Sequence, residues 1–242
     1  MRTNVLILLC ILWSIGFSGK ARAASRNAEG DPKVNIGIKA GFNSSMFIID
    51  RISIGGTELG NIQNNYKVGY FGAFFCRFNM KGHHFMQTEL SYNVSKGSIS
   101  IPSSAENISL LQDNALVKTD IHSIDIPLLY GYKFIDKYPY GMAFFAGPKA
   151  AYIWEKHSES EYSGFYQQGI HEEIRPFIFS GVVGLSVNVS NIFFDFRYEI
   201  GLHNMVRSVS FDKDLTETPY DTQDLSLKRR RNVLSFSVGV IF

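Results

Sequence analysis

The sequence after residue 33 is dominated by segments in which apolar and polar side chains alternate one by one. The first of these segments reads VNIGIKAGFN. A period of two is that of a β-strand, because successive side chains point to opposite faces. No apolar run in this region approaches the roughly 20 residues of a membrane-spanning helix. The pattern predicts eight strands, at residues 34–43, 67–78, 86–94, 123–134, 141–154, 177–188, 194–202 and 234–242.

The two faces of these strands differ in a way that a soluble β-sandwich does not require. One face carries large apolar and aromatic side chains without a charge at its middle, where a charge facing lipid would cost about 2–4 kcal/mol. The other face combines glycine with nine charged residues, namely Lys39, Arg77, Glu89, Asp125, Lys133, Lys149, Asp195, Arg197 and Glu199. This pattern predicts an all-β fold, an eight-stranded antiparallel transmembrane β-barrel with the charges in its lumen.

The predicted lumen charges have two interpretations. The interior of an eight-stranded barrel is just wide enough for side chains to fill it, so we favour a structural network of paired charges. A narrow channel is the alternative.

The predicted connections alternate between short and long. Residues 79–84, 135–139 and 190–191 are tight turns, whereas residues 44–65, 96–116, 156–174 and 203–229 are long and polar. Short periplasmic turns and long extracellular loops are typical of outer-membrane barrels. An even number of strands then predicts that both termini lie in the periplasm.

Aromatic residues flank the apolar segments. Tyrosine and tryptophan favour the two membrane interfaces, although ordinary strand propensity also favours them. The predicted girdle residues are Tyr66, Tyr70, Tyr92, Tyr130, Tyr132, Tyr140, Tyr152, Trp154 and Tyr198.

The first residues predict export. A positive start, an apolar core and an Ala-Arg-Ala site predict a cleaved signal peptide at residues 1–23. Residues 24–33 are then a short periplasmic segment and residues 34–242 the barrel. Only Cys76 remains in the mature chain, which excludes an intrachain disulfide. The formal net charge of +2 predicts no nucleic-acid partner.

Two features of the predicted loops suggest contact surfaces. Lys228, Arg229, Arg230 and Arg231 precede the last strand at the predicted outer rim, where arginine could bind lipopolysaccharide phosphates. A solvated rim, balanced by acids of the same loop, is the alternative. Apolar residues at 46–49 and at Tyr162, Phe165 and Tyr166 either dock a partner or pack over the barrel mouth. We favour docking.

Catalytic signals are weak. His122 and Ser123 precede Asp125, which suggests a lipid A-modifying enzyme, but adjacent residues of a strand point to opposite faces. His157 and His171 lie near glutamates that could hold a cation, and solvated acidic loops are the simpler interpretation. We predict no catalytic residue, no metal site and no cofactor.

The end of the chain resembles the sorting signal that the barrel-insertion machinery reads in bacterial outer-membrane barrels, with Phe236, Val238, Val240 and Phe242 on one face. Residues 35–42, 124–129, 145–148 and 194–202 together resemble the PorT-like family of Bacteroidota outer-membrane barrels. The resemblance implies an eight-stranded barrel of the OmpA/OmpX size class.

The founding member of that family serves the type IX secretion system, and many relatives have no assigned function. The resemblance therefore implies an accessory component of protein secretion, or a surface-interaction protein that acts through its extracellular loops. The expected partners are outer-membrane lipid, lipopolysaccharide, the barrel-insertion machinery and secretion-system proteins.

Overall fold

The computed structural model describes residues 32–60, 62–103, 111–154 and 158–242. The predicted signal peptide lies outside these residues. The strands are β1 (Val34–Ile54), β2 (Thr57–Glu58), β3 (Gln63–Asn79), β4 (His84–Ile101), β5 (Leu111–Lys137), β6 (Tyr140–Ile153), β7 (Glu159–Phe165), β8 (Gln168–Ile174), β9 (Phe177–Val189), β10 (Ile192–Gly201), β11 (Val206–Asp212) and β12 (Leu225–Ile241). In the described part of the chain, no helix is long and apolar enough to cross a membrane.

Eight of these strands form a closed antiparallel ring. Their order is β1-β3-β4-β5-β6-β9-β10-β12, and β12 pairs back onto β1 from Gly37–Ile241 to Ile54–Leu225. Closure leaves no free edge in the wall, which is what a sheet inside lipid requires. The predicted eight-stranded antiparallel barrel is confirmed.

The two ends of the barrel differ. Residues 80–83, 138–139 and 190–191 make short turns at one end, where β1 begins and β12 ends. The long connections all lie at the other end. The predicted difference in loop length thus corresponds to two physically distinct ends.

The outer wall carries a continuous apolar band near the short-turn end. Phe42 and Phe74 are 65% and 69% exposed there. In soluble proteins, phenylalanine is usually buried. On β1 the band spans residues 34–42, close to the 9–11 residues of a membrane-crossing strand. Such a surface is stable only against lipid.

Tyrosines mark both limits of this band. Tyr132 and Tyr140 lie near the short turns, whereas Tyr70, Tyr92 and Trp154 lie toward the long connections. Eight of the nine predicted girdle residues are exposed on the outer wall. Tyr198 is half-buried instead, because its hydroxyl accepts a hydrogen bond from Asn232 Nδ2 at 2.9 Å.

The segments predicted as long polar loops are largely strand, which corrects the sequence analysis. β1 continues to Ile54 and β5 begins at Leu111, so both run far beyond the apolar band. The physical reason is that the alternation inverts: apolar side chains now face inward and polar ones outward. A buried core results, which includes Phe47, Ile52, Ile54, Ile99, Ile101, Leu111, Val117, Ile121, Phe165, Met205, Leu225 and Leu227.

The expectation that apolar loop residues dock a partner is therefore wrong for Phe47 and Phe165. Phe47 and Phe165 are 2% and 3% exposed and pack inside the core. Tyr162 packs against the same core, and Tyr166 stacks on Tyr220 with ring centroids 3.9 Å apart. The alternative, packing together over the barrel mouth, describes these four residues.

Within the membrane band, phenylalanine rings enter the lumen beside glycines. Phe85 fills the space where Gly131 lacks a side chain, since a Cβ there would lie 2.2 Å from its ring. Phe145 and Gly184 make the same kind of contact on β6 and β9, at 2.5 Å. Gly131 and Gly184 are thus required by close aromatic packing.

Candidate functional site

The lumen nearest the short turns is built around Arg77. Its guanidinium lies 4.6 Å from the ring centroid of Phe85 and 5.9 Å from those of Phe75 and Phe193. Its Nε donates to Gln87 Oε1 at 2.7 Å. Lys133 lies closer to the opening, with its Nζ 3.9 Å from Asp136. Aromatic faces thus stabilise a buried cation at this end of the lumen.

Four of the predicted charges form a network in the middle of the membrane band. Arg197 donates to both Glu89 oxygens, at 2.9 and 2.7 Å, and to Asp195 Oδ2 at 2.6 Å. The Lys39 ammonium lies 2.8 Å from both oxygens of Glu89. All four residues are buried. Forked pairing of this kind offsets the desolvation of the ions.

A second network lies above the first. Lys149 donates to Asp125 Oδ2 at 2.8 Å and also to Glu199. Ser123 donates to Asp125 and Ser180 donates to Glu199, at 2.6 and 2.8 Å. A cavity of about 40 Å³ remains among these side chains, room for about one water molecule. In both networks, side chains from different strands bond one another across the lumen.

A buried ion pair joins the barrel wall to β8 at the next level. Arg229 donates to both oxygens of Glu172, at 2.9 and 2.7 Å, and to Thr119 Oγ1 at 2.9 Å. Tyr162 donates to Glu172 at 2.9 Å. Burial, with the negative charge of Glu172, raises the pKa of Tyr162 above its usual value, so this hydroxyl stays a donor. Sequence reasoning missed Glu172 as the partner of Arg229.

Arg231 differs sharply from Arg229. Its side chain is also buried, but within the described residues its Nε, Nη1 and Nη2 make no hydrogen bond. Glu199 Oε1 lies 3.8 Å from Nη2. The two arginines lie two residues apart on the same face of β12. Arg229 bonds through both of its terminal nitrogens, whereas Arg231 makes no hydrogen bond among the described residues.

The predicted basic rim is therefore wrong for Arg229 and Arg231. Arg229 and Arg231 point into the barrel, because the β-strand continues through them and alternate residues face inward. Lys228 and Arg230 face outward. Arg230 bonds Asp50, with an Nη2–Oδ1 distance of 2.7 Å, and this hydrogen bond raises the pKa of the guanidinium. Four side chains cannot contact lipopolysaccharide together.

The other exposed basic side chains in the half with the long connections include several with acidic neighbours. These pairs are Arg51–Glu58 at 2.8 Å, Lys96–Asp120 at 3.2 Å, Lys118–Glu161 at 3.4 Å and Arg207–Glu173 at 3.0 Å. Exposed pairs add little stability, but they neutralise the surface. A strong basic patch does not form from them.

The residues that suggested catalysis diverge. His122 faces outward and its Nδ1 lies 2.7 Å from the Tyr92 hydroxyl, whereas Ser123 faces inward and donates to Asp125. His157 lies outside the described residues. Glu172 and Glu173, beside His171, bond Arg229 and Arg207. Among the described residues, no group of three His, Cys, Asp or Glu could hold a metal ion.

The four residues of the predicted insertion signal lie on the outer wall. Phe236, Val238, Val240 and Phe242 all belong to the exposed apolar band. They are accessible from the membrane side of β12, the strand that closes the ring.

Residues 23–207 match the family model of the outer membrane protein beta-barrel domain. The chain belongs to this family. Among curated proteins, no sequence matches the chain. The family and the fold indicate a bacterial outer membrane, and the lipid-facing band described above fits that location.

Three solved structures are similar at low identity, and the first of them shows the same fold. OprG from Pseudomonas aeruginosa is similar with a TM-score of 0.55 and 10% identity, over 86% of this chain and 95% of that chain. Neisserial surface protein A is similar with a TM-score of 0.38 and 12% identity, over 86% of this chain and 97% of that chain. The outer membrane protease OmpT from Escherichia coli is similar with a TM-score of 0.38 and 11% identity, over 86% of this chain and 96% of that chain.

Proposed function

We propose that this protein is a non-enzymatic outer-membrane barrel that holds a rigid extracellular β-structure for contact with another surface molecule. The observation that carries the proposal is the two-part interior. Charge networks fill the lumen inside the membrane band, and an apolar core fills the extracellular half. A filled interior does not suit transport, whereas an ordered platform outside the membrane suits binding.

The orientation follows from the same asymmetry. We propose that the short turns and both chain ends face the periplasm, since long connections typically lie outside. The extracellular platform then consists of the upper parts of β1, β3, β4, β5 and β12 together with β7, β8 and β11.

A role as an accessory component of protein secretion, of the type IX kind, is the first specific form of this proposal. Its support is the ordered resemblance to the PorT-like family of Bacteroidota barrels. Lipopolysaccharide contact through Lys228 and Arg230 is a narrower form, limited to the two outward-facing cations.

Two alternatives receive less support. A lipid A-modifying enzyme needs a nucleophile and a base on one face, and Ser123 and His122 face opposite sides of the wall. A narrow channel needs a path through side chains that bond one another across the lumen.

A deletion strain tests the proposal, with proteomics of periplasm, cell surface and medium and with mass spectrometry of lipid A. We expect surface or secreted proteins to change while lipid A keeps its mass. Cargo that accumulates in the periplasm supports the secretion role, and cargo that is lost only from the surface supports surface contact alone. An altered lipid A would contradict the non-enzymatic assignment, and an unchanged proteome would contradict both roles.

A further inference from the structure

β7 and β8 follow one another in the chain, yet they do not pair. β7 joins the barrel wall by pairing β5, with Glu161 opposite Lys118. β8 leaves the wall and pairs β11, with His171 opposite Ser210. Within the described residues, each strand thus pairs on one side only. β7 and β8 therefore each leave one strand edge unpaired among the described strands.

A cleft of about 620 Å³ opens beside these edges. Residues 160–165 of β7 line it together with residues 167–170, which begin β8, and Gln112 of β5. Gly164 and Gly169 have positive φ values of +81° and +63° at the two ends of the connection. The cleft lining therefore follows β7 along almost its whole length.

An unpaired carboxamide is buried in the cleft lining. Gln167 is 3% exposed, and neither its Nε2 nor its Oε1 has a hydrogen-bond partner among the described residues. Buried polar groups are almost always hydrogen-bonded, and an unsatisfied donor and acceptor together destabilise the fold. A carboxamide is complementary to a peptide group, since each offers one carbonyl acceptor and an N–H donor.

The charge of the cleft excludes a strongly ionic ligand. Lys118 and Glu161 are the charged residues of the lining, and they lie 3.4 Å apart. The other lining side chains are uncharged. A row of free backbone N–H and C=O groups at strand spacing matches an extended polypeptide better than a sugar ring.

We propose that this cleft is a strand-addition site, in which an extended segment of another polypeptide pairs with the free edge of β7 and bonds the Gln167 carboxamide. The inference rests on the proposed role in surface contact and names the kind of partner. Exposed edges are templates for pairing with a further chain, and here one edge lies beside an unsatisfied buried amide.

The test uses the full mature chain in detergent micelles and a phage-displayed library of random dodecapeptides. Selection on the wild-type protein is followed by depletion on Gln167→Leu. The leading peptide is then synthesised in two further forms, N-methylated at odd or at even positions. Gln63→Leu, an exposed glutamine on β3 outside the lining, is the matched control.

We expect one methylated form to lose binding at least about tenfold and the other to bind as the parent peptide, because alternate N–H groups face the edge. Gln167→Leu should lose binding about tenfold while its melting temperature stays equal or rises, since leucine removes two unsatisfied atoms. Gln63→Leu should bind normally.

Three results would overturn the proposal. These are the absence of any enriched peptide, equal binding of both methylated forms, and full binding by Gln167→Leu. Binding of a glycan array in place of peptides would assign the cleft to carbohydrate instead. None of these results affects the deletion-strain experiment, so failure of the strand-addition site and failure of the surface role are distinguishable.

Discussion

The same substitution is expected to have opposite effects at Arg229 and Arg231, the two inward-facing arginines of β12. Arg229→Met leaves the Glu172 carboxylate buried without its cation, and breaking a buried pair from one side costs about 3–5 kcal/mol. Arg231→Met removes a buried guanidinium that makes no hydrogen bond. The carboxylates near it, Glu199 and Asp125, keep Lys149 as a partner, and Glu199 also keeps Ser180. We expect its free energy of unfolding to change by less than about 1 kcal/mol, or to rise.

A double variant separates the ion pair from the burial of each partner. Arg229→Met with Glu172→Leu removes both charges, so only the bonds to Thr119 and Tyr162 are lost. Each is worth about 1 kcal/mol. The double variant should therefore be more stable than Arg229→Met alone, with a coupling energy of about 2 kcal/mol or more.

Reversible urea unfolding in detergent micelles measures these differences. Trp154 is the only tryptophan after residue 23 and provides the fluorescence signal. Equal losses for the two arginine variants would refute the distinction drawn between them. Losses that simply add in the double variant would refute the buried ion pair.

Three further predictions use other parts of the barrel. Gly131→Val should destabilise the fold by about 1–3 kcal/mol, because a Cβ there meets the Phe85 ring. Gly72→Ala should not destabilise it, since nothing lies within 4 Å of a Cβ at that position. Equal unfolding curves for the two variants would contradict this prediction. On a cysteine-free background, a membrane-impermeant maleimide should label Lys213→Cys in intact cells. It should label Lys81→Cys only after the cells are permeabilised. The reverse labelling pattern would show that the barrel has the opposite orientation. Phe242→Ser should reduce heat-modifiable barrel in the outer membrane while the purified variant still refolds in micelles, and normal assembly would remove Phe242 from the insertion signal.

The ring of eight antiparallel strands could be predicted because the membrane imposes a strict period. Lipid accepts only apolar side chains, and the backbone groups inside it must hydrogen-bond within the sheet because no water is present. Residues such as Phe42 and Lys39 are therefore forced to opposite faces. The bounds of the strands were less accurate. Beyond the membrane the alternation inverts, and segments such as 44–54 resemble polar loops unless the inward face is examined separately.

The site was predicted in part. The structure places the nine charges of the lumen on the inward face, as the alternation of apolar and polar residues predicts. Which charges pair depends on the register of the strands and on the height of each residue along the barrel axis. Glu172 was missed because it arrives from β8, outside the ring. Arg229 and Arg231 were placed on the surface because the last strand begins at Leu225, nine residues before the apolar alternation. Continuation of the same period through the basic run was the available signal.

The most direct test of the filled interior is the conductance of the purified mature protein in planar bilayers bathed in molar potassium chloride. Interlocked side chains across the lumen, such as Arg197 with Glu89, predict insertion without steady conductance steps. Reproducible single-channel steps from the wild-type protein would show an open path through the barrel and contradict the account.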